Sequence, residues 1–192
     1  MPRGTYLHVE EQVTERFQCA PGAGGWRYVG ERADGGRTDL TVDARWRQIR
    51  VELATRHWLL RGGVAGSELY WIRSGASGEP AEHAARAAGF LGESPAFLVA
   101  VARSLRLAAG GSAAVRLVRV QGPGLAALDI GQRWRLAETT TYAAELAPLP
   151  VERYEITDLA TAETVEVHLA GDVVLAAPGL ELEDLESPPT LP

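Results

Sequence analysis

RTDLTVDARWRQIRVEL, residues 37–53, is the stretch that decides the fold. Leu40, Val42, Ala44 and Trp46 share one face of an extended strand. Ile49, Val51 and Leu53 have the opposite parity. Side chains alternate along a strand, so both sets turn inward only if one residue is inserted. The pattern predicts one long strand with a β-bulge near Arg47–Gln48, which puts Trp46 and Ile49 on the same side. A bulge bends and twists its strand, so a strongly curved sheet is expected.

Outward from this stretch, the first third of the chain reads as more strands: residues 12–19, 26–32, 57–61 and 67–73. Turn signals separate them at residues 21–25, at Asp34-Gly35-Gly36, at Gly62-Gly63 with Gly66, and at Ser74-Gly75. Asp-Gly suits a hairpin, because positive φ costs little there. Short links favour antiparallel neighbours.

The middle changes texture. Residues 80–88 are alanine-rich behind a proline, which predicts a short helix. SPAFLVAVARSLRL, residues 94–107, opens with a serine in capping position and a proline at the first helical position. Phe97, Leu98, Val101 and Leu105 form an apolar stripe, and Arg103 and Arg106 sit near the exit. Strands return at 113–121, 128–137, 151–158, 164–169 and 172–176. From residue 181 the chain is acidic, ends in prolines, and is expected to fray. The expected fold is α+β: a large curved antiparallel sheet, an open half-barrel, wrapped over one or two helices. Residues 1–186 form a single domain, followed by a disordered tail at 187–192.

Composition excludes several classes of function. The chain has 192 residues and a net charge of −6. All 19 basic side chains are arginine. There is therefore no lysine for a Schiff base or a phosphate-binding loop. The excess of acid argues against nucleic acid. The one cysteine, Cys19, allows no internal disulfide and no cysteine-built zinc site. His8, His57, His83 and His168 have no metal-ligand spacing. No apolar run reaches membrane-spanning length, and the N-terminus lacks a signal core, so a cytoplasmic location is expected. No motif demands catalysis. The tryptophans at 26, 46, 58, 71 and 134, with Tyr28, Tyr70 and Tyr154, fall in predicted strands. They either fill the space under the sheet or line an apolar cavity.

These segments together resemble a glycolipid-binding family of small bacterial proteins. Asp43, Trp46, Arg47 and Arg50 match its acidic-tryptophan-arginine strand. Ser94, Pro95, Arg103 and Leu105 match its Thr-Pro-led segment. Gln132, Arg133 and Trp134 match its Gln-Arg-aromatic strand. Residues 108–120 resemble its glycine-turned strand, and the closing ERYEITDL and VEVHLAGDVVLAAPGL resemble its last hairpin. Where the family's Thr-Pro segment continues with polar residues, this chain is wholly apolar from Ala96 to Val101.

The resemblance implies an unclosed β-barrel around helices, like bacterial lipoprotein carriers, and a glycolipid or other amphiphile on its concave face. The candidate ligand contacts are Asp43, Trp46, Arg47, Arg50, Gln132, Arg133, Trp134 and Tyr154, with arginine forks meeting a sugar or phosphate head. No catalytic residue, metal or cofactor is expected. The expected partner is a hydrophobic or amphiphilic small molecule, and a homodimer is left open. Two alternatives stand: a small biosynthetic enzyme on the same scaffold acting on a hydrophobic intermediate, and a structural domain whose cavity is plugged by its own helix.

Overall fold

The structure is a computed structural model and describes residues 1–22, 24–75, 78–143 and 148–191. Its strands are β1 (Arg3–His8), β2 (Val13–Gly22), β3 (Gly25–Arg32), β4 (Arg37–Asp43), β5 (Gln48–Ala54), β6 (Trp58–Ala65), β7 (Glu68–Gly75), β8 (Ala81–Ala85), β9 (Phe90–Leu91), β10 (Ser112–Gln121), β11 (Ala126–Tyr142), β12 (Leu149–Asp158), β13 (Thr164–Ala170), β14 (Val173–Ala177) and β15 (Leu180–Leu185). One helix, α1 (Ala96–Leu105), lies between β9 and β10.

All fifteen strands form one sheet, in the order β8-β7-β6-β5-β4-β3-β2-β1-β15-β14-β13-β12-β11-β10-β9. Two meanders thus run outward from the junction of β1 and β15. Every pairing is antiparallel except that of β9 on β10. Alternation explains the strands: in β2, Glu15, Phe17 and Cys19 are buried while Arg16 and Gln18 face out.

The sheet curls until its ends meet. Helix α1 touches β4, β9 and β14, which stand far apart in the strand order. Trp71 on β7 meets Phe90 on β9 edge-on at 5.7 Å. Among the described residues no backbone ladder joins the two ends; side chains bridge them. The Gln48 amide donates to the Phe90 carbonyl (3.0 Å) and accepts from the Phe90 N–H (2.7 Å), as a neighbouring strand would. Arg73 donates to the Gly124 carbonyl at 2.8 Å while lying 3.8 Å over the Trp58 ring.

The inside of the curl is filled. Ala96, Phe97, Val99, Ala100, Val101 and Ala102 of α1 are all buried. They share one core with Leu40, Trp134, Tyr154 and Leu169 from the sheet. Burial extends beyond the expected stripe: Val99, Ala100 and Ala102 are buried, while Leu98 and Leu105 are only half-buried. The helix is enclosed by the sheet rather than laid on it.

Several expectations are corrected. The fold is mostly β, not a balanced α+β, because residues 80–88 hold the edge strand β8 (Ala81–Ala85) and not the expected helix. Residues 37–53 are two strands of a hairpin rather than one long strand. A tight turn at residues 44–47 causes the change of parity, with Trp46 at φ 64°. A bulge does exist close to the expected place, at Ile49, between the pairs Val42–Gln48 and Thr41–Arg50. Trp46 packs inward on Trp26, whereas Ile49 is exposed, so the two are not on the same side.

Gly62 and Gly63 lie inside β6 rather than in a turn. A Cβ at Gly62 would meet Trp71 and Phe90, so glycine lets the two ends of the sheet close up. Of the turn expected at 21–25, residue 23 lies outside the described residues. The segment from 181 begins as β15, paired with β1 at the centre of the sheet, and is not frayed there. In the expected tail, the Thr190 N–H donates to Asp172 at 2.7 Å. Among the described residues, no helix is long and apolar enough to cross a membrane.

Candidate functional site

Since α1 fills the barrel, open space is left at its ends. A cleft of about 310 Å³ lies at the mouth near the start of the helix. Four hairpin turns and the segment before α1 surround it: β1–β2 at Glu11, β3–β4 around Asp34, β5–β6 around Arg56, β10–β11 around Pro123, and Glu93-Ser94. Leu53, Val120 and Leu125 give it an apolar wall, and Arg32, Arg37, Arg56, His57 and Glu93 stand at its rim.

The rim is cross-linked. The Arg32 guanidinium lies 3.0 Å from Asp34 and 3.4 Å from Glu93. The other Glu93 oxygen accepts the Gly122 N–H at 2.8 Å. The Thr55 hydroxyl donates to the Pro123 carbonyl at 2.8 Å. Hydrogen bonding from Arg32 holds the Asp34 carboxyl below the usual carboxylate range. Arg32 is thus neutralised within the protein. Arg37 is only loosely associated with Asp39, at 3.8 Å. Arg56 makes no ion pair among the described residues, which leaves it the most available cation at the mouth.

Beneath the cleft lies a buried polar cluster. Ser94 lines the cleft, and its hydroxyl donates to Glu15 at 2.6 Å. Tyr28 donates to the same oxygen at 2.7 Å, and His8 Nε2 lies 2.7 Å from the other. Glu15 is 1% exposed, and its carboxylate is held by three side chains. Burial, followed by the charge of Glu15, pushes the Tyr28 phenol well up. Gly30 makes room: a Cβ there would run into the Glu15 carboxylate. The cluster ties β1, β2 and β3 to the start of α1. Ser94 does not cap the helix, because its hydroxyl is committed to Glu15.

The eight residues expected at a ligand fall in three other places. Asp43, Trp46 and Arg47 build the β4–β5 turn. One Asp43 oxygen accepts the N–H groups of Arg45 and Arg47, both at 2.9 Å, and the other pairs with the Arg47 guanidinium at 2.7 Å. Trp46 packs on Trp26 at 5.5 Å. Arg50 and Arg133 are exposed strand residues. Gln132, Trp134 and Tyr154 are core: Trp134 donates its indole N–H to Gln132 at 3.0 Å and meets Tyr154 edge-on at 5.9 Å. None of the eight lines the mouth cleft.

Sequence reasoning missed Glu15, Gln48 and Glu93. Glu15 did leave a signal, since it shares the inward parity of Phe17 and Cys19 and so is an acid aimed at the core. Among the described residues there is no cluster of side chains suited to a metal ion.

The architecture defines a class, the unclosed antiparallel β-barrel wrapped on a helix. It is similar to the crystal structure of a DUF1089 family protein from Pseudomonas aeruginosa, with a TM-score of 0.58 over 88% of this chain and 92% of that one. The two are 16% identical in sequence, a likeness that shows the fold. No family model matches the sequence. No curated protein matches it.

Proposed function

We propose that this chain is a relative of the glycolipid-binding family and a non-enzymatic binding protein, and that it holds a small amphiphile in the mouth cleft. The observation carrying this reading is the cleft itself: an apolar wall of Leu53, Val120 and Leu125 under a rim that includes Arg56 and His57. Such a site takes an apolar body and leaves a polar or anionic head at the guanidinium. The ligand enters at the barrel's end, because α1 occupies the concave face where the ligand was first expected. At about 310 Å³ the cleft is near the small end of ligand pockets. It suits one medium-length chain or a single ring with its head group, not a two-chain lipid.

Mass spectrometry of lipids extracted from the purified protein, beside titration with a fluorescent fatty acid, tests the proposal. A co-purifying single-chain amphiphile and saturable probe binding support it. An absence of both favours a structural domain plugged by its own helix.

A further inference from the structure

The sheet has two edges, treated differently. Edge β9 is two residues long and is covered by the Gln48 side chain. Edge β8 is five residues long and pairs with β7 on one side only. Its other side has no hydrogen-bonded neighbour among the described residues, and Ala81, Glu82, His83 and Ala84 are all exposed. Beyond that edge lies an unfilled groove of about 380 Å³, whose far wall is Val118 of β10 and Ala127, Leu128 and Asp129 of β11. An unpaired edge presents a row of N–H and C=O groups to any incoming strand, and proteins usually blunt such edges with proline, lysine or a cover. The strand itself contains neither residue.

We propose that β8 pairs antiparallel with β8 of a second copy of this chain, across a two-fold axis at Ala84. The charge pattern selects that occupant. In this register Glu82 of each copy stands opposite Arg86 of the other, the residue that directly follows β8, so the interface contains the same ion pair twice, as a self-complementary two-fold contact requires. The Arg86 side chain is 88% exposed, and its one ion pair among the described residues is a long one to Glu68, at 3.7 Å. Glu82 pairs in register with Ile72, and Ala84 with Tyr70, on the outer face of the sheet. Ile72 and Tyr70 are 45% and 46% exposed. In the joined sheet Tyr70 and Ile72 of each copy flank the two paired β8 strands on the outer face, so the contact rests on backbone pairing and the two ion pairs.

Light scattering and sedimentation equilibrium on the full chain test this. The wild type is expected to dimerise. Glu82→Arg and Arg86→Glu, each placing like charges opposite one another twice, are expected to weaken the dimer tenfold or more, and the double reversal to restore it. Thermal melts at a protein concentration low enough for every variant to be monomeric should be unchanged throughout, since both side chains are exposed. A monomeric wild type, a dimer indifferent to either reversal, or a double variant that stays monomeric overturns the proposal. The outcome is independent of ligand binding at the mouth.

Discussion

Ser94 and Glu15, 79 residues apart, share a 2.6 Å hydrogen bond that joins the start of α1 to the inner face of β2. The bond matters because Glu15 is buried and depends on its donors. Removing one partner from a buried charged group costs more than the net worth of the bond.

Glu15→Gln therefore destabilises the protein by about 1–3 kcal/mol, since an amide cannot accept all the hydrogen bonds of a carboxylate. Ser94→Ala costs less, about 1 kcal/mol, because Tyr28 and His8 remain. Urea denaturation of both variants checks the order.

The seam makes a separate prediction. Gln48→Leu keeps the volume but strands both the N–H and the C=O of Phe90. A loss of about 1–3 kcal/mol is expected, with faster hydrogen exchange at the Phe90 amide. Unchanged exchange would mean that this amide is satisfied in some other way.

Trp134→Ala and Arg50→Ala separate core from surface. Trp134 is 0% exposed, so its truncation costs about 3–5 kcal/mol. Arg50 is exposed and only 3.7 Å from Glu52, so its removal changes stability by about 0.5 kcal/mol or less. Thermal melts report both.

Acid should weaken the fold through its paired aspartates. The Arg27 guanidinium holds the buried Asp39 carboxyl below the usual range, against the upward push of burial. Asp34 is lowered in the same direction by Arg32. A carboxyl whose value is depressed in the folded state contributes stability that is complete above its unfolded value. That stability is lost as pH falls through the folded value. Stability is therefore expected to hold from neutral pH down to about 4 and then to fall. Asp39→Asn should flatten that fall. An equally steep fall in the variant would assign it to other carboxyls.

The sheet was legible from the sequence because its signals are local. Alternation in residues such as Leu128, Ile130, Gln132, Trp134 and Leu136 sets parity whatever the strand pairs with, and Asp34-Gly35 marks a turn by backbone preference alone. Residues 37–53 were misread because a four-residue turn and an inserted bulge residue shift parity alike. Only the pairing of Leu40 with Val51 distinguishes them. Alanines at 81–88 favour a helix in isolation, but here β7 offers Ala81–Ala85 a ladder. The mouth cleft was not legible at all. Its walls come from segments as distant as Leu53 and Val120, brought together only when the sheet curls shut.

The most direct test of the account is displacement of a fluorescent fatty acid from the wild type and from Ala54→Trp. Ala54 is a half-buried wall residue of the cleft, and an indole there would take up much of its volume. The account predicts saturable binding by the wild type, loss of binding in Ala54→Trp with the melting transition retained, and undiminished binding in Arg50→Ala. A wild type that binds no probe, or an Ala54→Trp variant that binds it as well as the wild type, would contradict the account.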